Sequence, residues 1–165
     1  MTHPSFVERF RDLPNVVHKS WEEIARMTTF SASHFRLYFE EKHGRMRSPH
    51  LQSLHNIAHS VDLIPVVLYH VPTDQPENLG VHDFLAGEPV DNYVRRVILQ
   101  EKNRLGLTIE KLAWKSGLSP RTVSQYERAK SDLTVRSLDS LCPPLGLVAD
   151  YLVVKKRFAE AMAVL

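Results

Sequence analysis

Residues 108–128 read TIEKLAWKSGLSPRTVSQYER, and the rules of helix formation divide them into helix, tight turn and helix. Thr108 is an N-cap, with Lys111 at the position where a capping box would carry Glu. Ile109, Leu112 and Ala113 recur at helical spacing and form one apolar face. Gly117 supplies the left-handed residue that ends the first helix. Ser119 caps the second, and Pro120 stands in its first turn, where a missing N–H costs nothing. Val123 and Tyr126 point inward, which leaves Arg121, Thr122, Ser124, Gln125 and Arg128 facing out.

A short helix held by a turn and presenting Arg, Gln, Ser and Thr fits the major groove of DNA. Arg bonds guanine through two donors, and Gln pairs in the same way with adenine. An ordinary helical hairpin with a polar face has the same general pattern. The turn glycine, the Ser-Pro start and the apolar spacing together favour DNA over that plainer reading.

The longer run GLTIEKLAWKSGLSPRTVSQYERAKSDLTVRSLDSLCPPLGL resembles the phage-repressor-like (Xre, Cro-type) helix-turn-helix family. The resemblance extends over about Asp91 to Arg157. It departs from the family at Trp114, where a charged residue is commoner, and at Pro143-Pro144, which shorten the fourth helix. The resemblance implies a recognition helix over 119–129, with base contacts from Pro120, Arg121, Thr122, Ser124 and Gln125. Thr108, Lys115, Arg128 and Lys130 are expected on phosphates, which fix register without reading sequence.

The composition is that of a globular protein, with 43% hydrophobic and 24% charged residues among 165. A lone cysteine, Cys142, excludes an internal disulfide and reads as a small buried hydrophobe. No apolar run has the length of a membrane span, and MTHPSFVERF lacks the apolar core of a signal peptide, so a cytoplasmic location is expected. The net charge of +2 is unevenly spread: residues 91–158 carry 13 Lys and Arg against 7 Asp and Glu, and residues 1–71 carry 8 against 7. Basic charge therefore accompanies the helix-turn-helix, where phosphate neutralisation needs it.

Sliding the chain by 88 residues lays SWEEIARMTTFSASHFRLYFE over TIEKLAWKSGLSPRTVSQYER without a gap. Ile24 then meets Leu112, Ala25 meets Ala113, Phe35 meets Val123 and Tyr38 meets Tyr126. Further on the offset becomes 84, with Ser53-Leu54 on Ser137-Leu138, Ile57 on Leu141 and Leu63 on Leu147. Few positions are identical, but the apolar ones agree, which indicates an internal duplication. The first copy is degenerate. Thr29 replaces the turn glycine, and Pro14 interrupts the opening helix. The outward residues of its third helix are Ser33, His34, Arg36 and Leu37, which form either a second DNA surface or an interaction face. Phe30-Ser31, His34-Phe35, Phe39 and Gly44 also resemble the arabinose-regulator-type activators, but RSPHLQSLHNIAHSVDL returns to the phage-repressor pattern.

The segment VPTDQPENLGVHDFLAGEPVDN, rich in Pro, Gly and acids, reads as a connector in which VHDFLAG forms a short helical turn. Asp91 is expected to cap a helix over Tyr93 to Asn103, with Arg95 and Arg96 either near the DNA backbone or solvated. VADYLVVKKRFAEAMAVL reads as a fifth helix with Val148, Leu152, Val153, Phe158, Ala161, Met162, Val164 and Leu165 on its apolar stripe, packed on its own domain or on a second subunit. His55 and His59 have a spacing that holds zinc, but Asn56 stands where a metalloprotease motif carries Glu, and the aligned repeat leaves both rings on the solvated side.

The expected fold is all-α: two tandem lambda-repressor-like helix-turn-helix domains of four to five helices each. They occupy residues 1–71 and 91–165, joined by an acidic Pro/Gly linker over 72–90. The expected function is sequence-specific transcription regulation by a homodimer on double-stranded DNA, with no cofactor, metal, catalytic residue or membrane association. The alternative is an antitoxin-like module that binds a protein partner through residues 1–71. With one chain two arrangements stay open: both copies cover a bipartite site, or two chains pair and each uses mainly its C-terminal copy.

Overall fold

The computed structural model describes residues 4–40, 47–70 and 87–155. Short helices open the chain, and local capping explains their boundaries. Ser5 and Glu8 form a reciprocal capping box at the start of α1 (Phe6–Arg11), and Ser20 and Glu23 form another at the start of α3 (Trp21–Met27). Between them α2 (Leu13–Val17) carries Pro14 in its first turn and ends at His18 in the left-handed region. Ser31 caps α4 (Ala32–Arg36), and α5 (Leu51–Ser60) then leads into the strand β1 (Leu63–His70).

The second half begins with α6 (Val90–Arg104), which starts three residues before Tyr93. Pro89 takes the cap position expected of Asp91, and Val90 is buried. Then come α7 (Ile109–Ser116), α8 (Pro120–Glu127) and α9 (Val135–Leu141). As Pro143 and Pro144 suggested, α9 stops short, and a single 3-10 turn (Pro143–Leu145) precedes β2 (Leu147–Val154).

This last strand corrects the all-α expectation. Val148, Leu152 and Val153 lie on β2 rather than on a fifth helix, and β2 pairs antiparallel with β1. The physical reason is burial beside a matching strand. Both segments are mainly apolar with several β-branched residues, and are buried along most of their length. Each gives its backbone donors and acceptors to the other, which an isolated fifth helix at this place would not offer β1. Phe158, Ala161, Met162, Val164 and Leu165, the turn proposed for VHDFLAG, and most of the linker over 72–90 lie outside the described residues.

The two halves interlock. β1 of the first and β2 of the second form one two-stranded sheet, and buried side chains from both halves belong to one hydrophobic cluster. A shift of 84 residues carries β1 onto β2 end to end. The same shift carries the pair Leu63↔Val154 onto Leu147↔His70. It also maps an isolated bridge, His50↔Thr134, onto itself. The hydrogen bonds flanking that bridge behave likewise: Leu51 N–H donates to Leu133 O at 2.9 Å, and Val135 N–H donates to Pro49 O at 3.0 Å. The bridge and the centre of the ladder therefore both lie on an approximate two-fold axis within one chain.

Side-chain packing closes each half around that seam. Phe10 meets Trp21, Phe35, Tyr38 and Phe39 at ring separations of 5.3 to 6.0 Å in the first half. Such edge and offset contacts add about 0.5–1.5 kcal/mol per pair beyond burial. Across the halves, Arg9 of α1 pairs with Asp150 of β2 at 3.3 Å, and the Leu68 N–H of β1 donates to the Tyr93 hydroxyl of α6 at 3.1 Å.

Candidate nucleic-acid interface

The geometry of residues 108–128 follows their capping chemistry. Thr108 Oγ1 accepts from Lys111 N–H at 3.2 Å and starts α7. Gly117 ends it at φ 71°, in the left-handed region, and the Leu118 N–H returns to Ala113 O at 3.0 Å. Ser119 Oγ then accepts from Thr122 N–H at 3.1 Å and starts α8. Caps of this kind are worth about 1 kcal/mol each. Leu112, Ala113, Val123 and Tyr126 are buried where the two helices meet, so the crossing is fixed by a small apolar core.

That core decides what α8 shows to solvent. Pro120, Arg121 and Thr122 are exposed, while Ser124 and Gln125 are half-buried along the same flank. The Thr122 hydroxyl lies 2.8 Å from that of Ser119, so it already has a partner within the cap. Thr108, Lys115, Arg128 and Lys130, expected on phosphates, are all exposed. The helix start is thus exposed, as are the four residues expected on phosphates. Trp114 also stands 82% exposed on α7, beside Lys115 in sequence.

The residues that hold α8 in place are ones the sequence did not single out for that role. Arg95 neither reaches outward nor is merely solvated. Its Nε–H donates to Tyr126 O at 2.9 Å, its Nη1 bonds Asn92 Oδ1 at 3.1 Å, and its guanidinium lies 5.2 Å over the Tyr126 ring. Two turns along α6, Lys102 Nζ sits 2.7 Å from Glu127 Oε1. Two cations of α6 therefore grip the C-terminal end of α8, the end where helix carbonyls favour positive charge. The available signal was their spacing of seven on one face of α6. Arg96 pairs with Glu88 at 2.8 Å and also stacks on Tyr93. Burial pushes the Tyr126 phenol up, so it packs as a neutral ring.

The corresponding part of the first half is similar in outline and different in detail. At the turn between α3 and α4, Thr28 is extended rather than left-handed. Its Oγ1 donates to Ala25 O and accepts from Phe30 N–H, both at 3.2 Å. Thr29 therefore escapes the strain that a glycine-type turn would impose on a β-branched residue. On α4, Ser33 and Arg36 are exposed and Leu37 is half-buried. His34 is turned toward its own unit: its Nε2 lies 3.0 Å from the Tyr38 hydroxyl, and its ring stacks on Phe30.

His55 and His59 lie one turn apart on α5 with their rings parallel at 6.2 Å. Burial, then the neighbouring His59, lowers the His55 pKa. Among the described residues no group of three or more His, Cys, Asp or Glu is arranged to hold a metal ion. Cys142 is buried, and burial pushes its thiol up, away from nucleophilic reactivity. Among the described residues, no helix is long and apolar enough to cross a membrane.

No curated protein matches the chain, and neither does any solved structure. Residues 98–148, about a third of the chain, match the family model described as Helix-turn-helix, a span that runs from the end of α6 through α7, α8 and α9 to the first residues of β2.

Proposed function

We propose that the chain is a sequence-specific, non-enzymatic DNA-binding regulator of transcription, in which α8 enters the major groove. The observation that carries this reading is the division of α8 into two faces. Val123 and Tyr126 are buried against the rest of the unit, while Arg121 and Thr122 are exposed at the capped start of a helix whose far end is held by Arg95 and Lys102. Rigidity matters because a base contact requires hydrogen-bond geometry held within fractions of an ångström. The helix-turn-helix match over 98–148 supports the same reading, as does the excess of basic residues in 91–158.

In this reading Arg121 and Gln125 read bases, with Pro120, Thr122 and Ser124 shaping the contact. Lys115, Arg128, Lys130 and Thr108 hold phosphates. The test is selection from a random DNA library followed by titration of Arg121→Ala on the selected and on random duplexes. The variant should lose about 1–3 kcal/mol on the selected duplex and relax one base position. Equal loss on both duplexes would make Arg121 a phosphate contact and refute its role in reading sequence. Lys115→Ala should weaken both alike and reduce the slope of log K against log salt by about 0.9. If the library yields nothing and the protein co-purifies with a fixed protein partner, the antitoxin-like alternative takes its place.

A further inference from the structure

We infer that a single chain, without a second copy, spans a complete two-part DNA site, its two unlike half-sites read by α8 and α4. This deepens the proposed function and rests on it. Three observations carry it. The first is the approximate two-fold axis: the 84-residue shift preserves the β1–β2 register and maps the His50↔Thr134 bridge onto itself. The two halves of one chain therefore face each other as two copies of a symmetric dimer would, and the pairing edges of both strands are used on each other.

The second observation places the helices. The Arg47 N–H donates to Leu37 O at 2.9 Å, so the chain is drawn back to the end of α4 three residues before the bridge at His50. Three residues span at most about 11 Å. On the other side, residues 128–133 are all that separate α8 from Thr134. Both helices are thus tied by short stretches of chain to the same bridge, and a two-part site would require them to enter successive major grooves, about 34 Å apart.

The third is charge. Arg128 and Lys130 are exposed in the chain between α8 and the bridge, and Arg47 is exposed in the chain between α4 and the bridge. Cations flank the axis on both sides, where the phosphates between two half-sites would run. The two faces are chemically unlike. Arg121 and Gln125 stand on one, and Ser33 and Arg36 on the other, with His34 held by Tyr38. The site they read is accordingly asymmetric rather than palindromic.

The experiment is library selection with the full chain, with Arg121→Ala and with Arg36→Ala, together with the mass of each protein–DNA complex by sedimentation. The expected result is one chain per duplex and a motif of two unlike blocks. Arg121→Ala should erase information in one block and Arg36→Ala in the other, each weakening binding about tenfold. Ser33→Ala provides a second, milder variant on α4, and unchanged thermal unfolding confirms that the variants fold. A single block lost in Arg121→Ala and untouched by both α4 variants would overturn the inference while leaving the α8 reading intact. So would a palindrome occupied by two chains. Selection of no motif at all would remove the proposed function and this inference with it.

Discussion

The anchoring of α8 makes a prediction that separates a buried ion pair from a decorative one. Lys102 Nζ lies 2.7 Å from Glu127 Oε1, and the two side chains are only 12% and 11% exposed. Lys102→Met keeps the length and apolar stem but leaves the Glu127 carboxylate without its cation in a mostly dry site. Breaking one partner of a buried pair costs about 3–5 kcal/mol, because the remaining charge stays desolvated. Glu127 is the last residue of α8 and can swing toward water, so the lower figure, about 3 kcal/mol, is expected here. With a urea m-value of about 2 kcal/mol/M for a chain of this size, the midpoint should fall by about 1.5 M. Replacing both partners, Lys102→Met with Glu127→Met, should recover all but about 1 kcal/mol, since two apolar groups replace two charges. In DNA titrations the single variant should weaken binding by loosening α8 while leaving the salt slope unchanged, because Lys102 faces Glu127 rather than phosphate. A loss below about 1 kcal/mol, the value of an exposed pair, would show that the charges remain solvated and refute the reasoning. A double variant as unstable as the single one would refute it too.

Two other perturbations follow from the turns and the core. Gly117→Ala forces a β-carbon onto φ 71° but meets nothing within 4 Å, so it should cost only the conformational penalty of about 1–2 kcal/mol in thermal unfolding. Thr29→Gly, the reverse change at the aligned turn, should destabilise by about 0.5–1 kcal/mol, because that turn uses no left-handed residue and glycine only loosens the unfolded chain. Glu101 is 1% exposed. Burial by itself raises its carboxyl pKa, but hydrogen bonds from Arg104 at 2.7 Å and His70 at 3.0 Å outweigh burial and hold it below the ordinary 4.5. A depressed acid contributes stability that is present above its unfolded pKa and lost as pH falls through the folded one. Acid titration of unfolding should therefore show a loss beginning near pH 4.5 and continuing below it, and Glu101→Gln should flatten that limb.

The parts of this fold that were legible in the sequence are those decided within a few residues. The α7–turn–α8 unit rests on Thr108, Gly117, Ser119 and Pro120, each acting on backbone groups at most four positions away. Its apolar residues stand at the spacing that buries them. Arg95 and Lys102 were harder, because their partners lie 31 and 25 residues away, and an outward cation looks the same in sequence whether it meets phosphate or a helix end. The exposure of Ser33 and Arg36 was readable from the 88-residue alignment. The inward turn of His34 was not, since it depends on Tyr38 and Phe30 closing around it.

The strands show why the remainder was hidden. LVADYLVV has no clean period of two, and a short apolar run buried on both faces looks the same to periodicity whether helix or strand. LIPVVLYH even contains Pro65, which argues against a strand, and the ladder has no pair at that step: Pro65 stands opposite Leu152, whose φ of 53° breaks the regular strand. What makes each segment a strand is the other one, 84 residues away. The 84-residue offset between the two segments was readable, but their pairing was not. Two segments separated by a linker suggest two beads on a string, whereas two strands with open edges satisfy each other first. Intramolecular pairing of this kind carries the high effective concentration of a tether, so it outcompetes pairing between chains unless geometry forbids it. The register, in which every pair but Leu68↔Ala149 maps onto another pair, shows that geometry permits it.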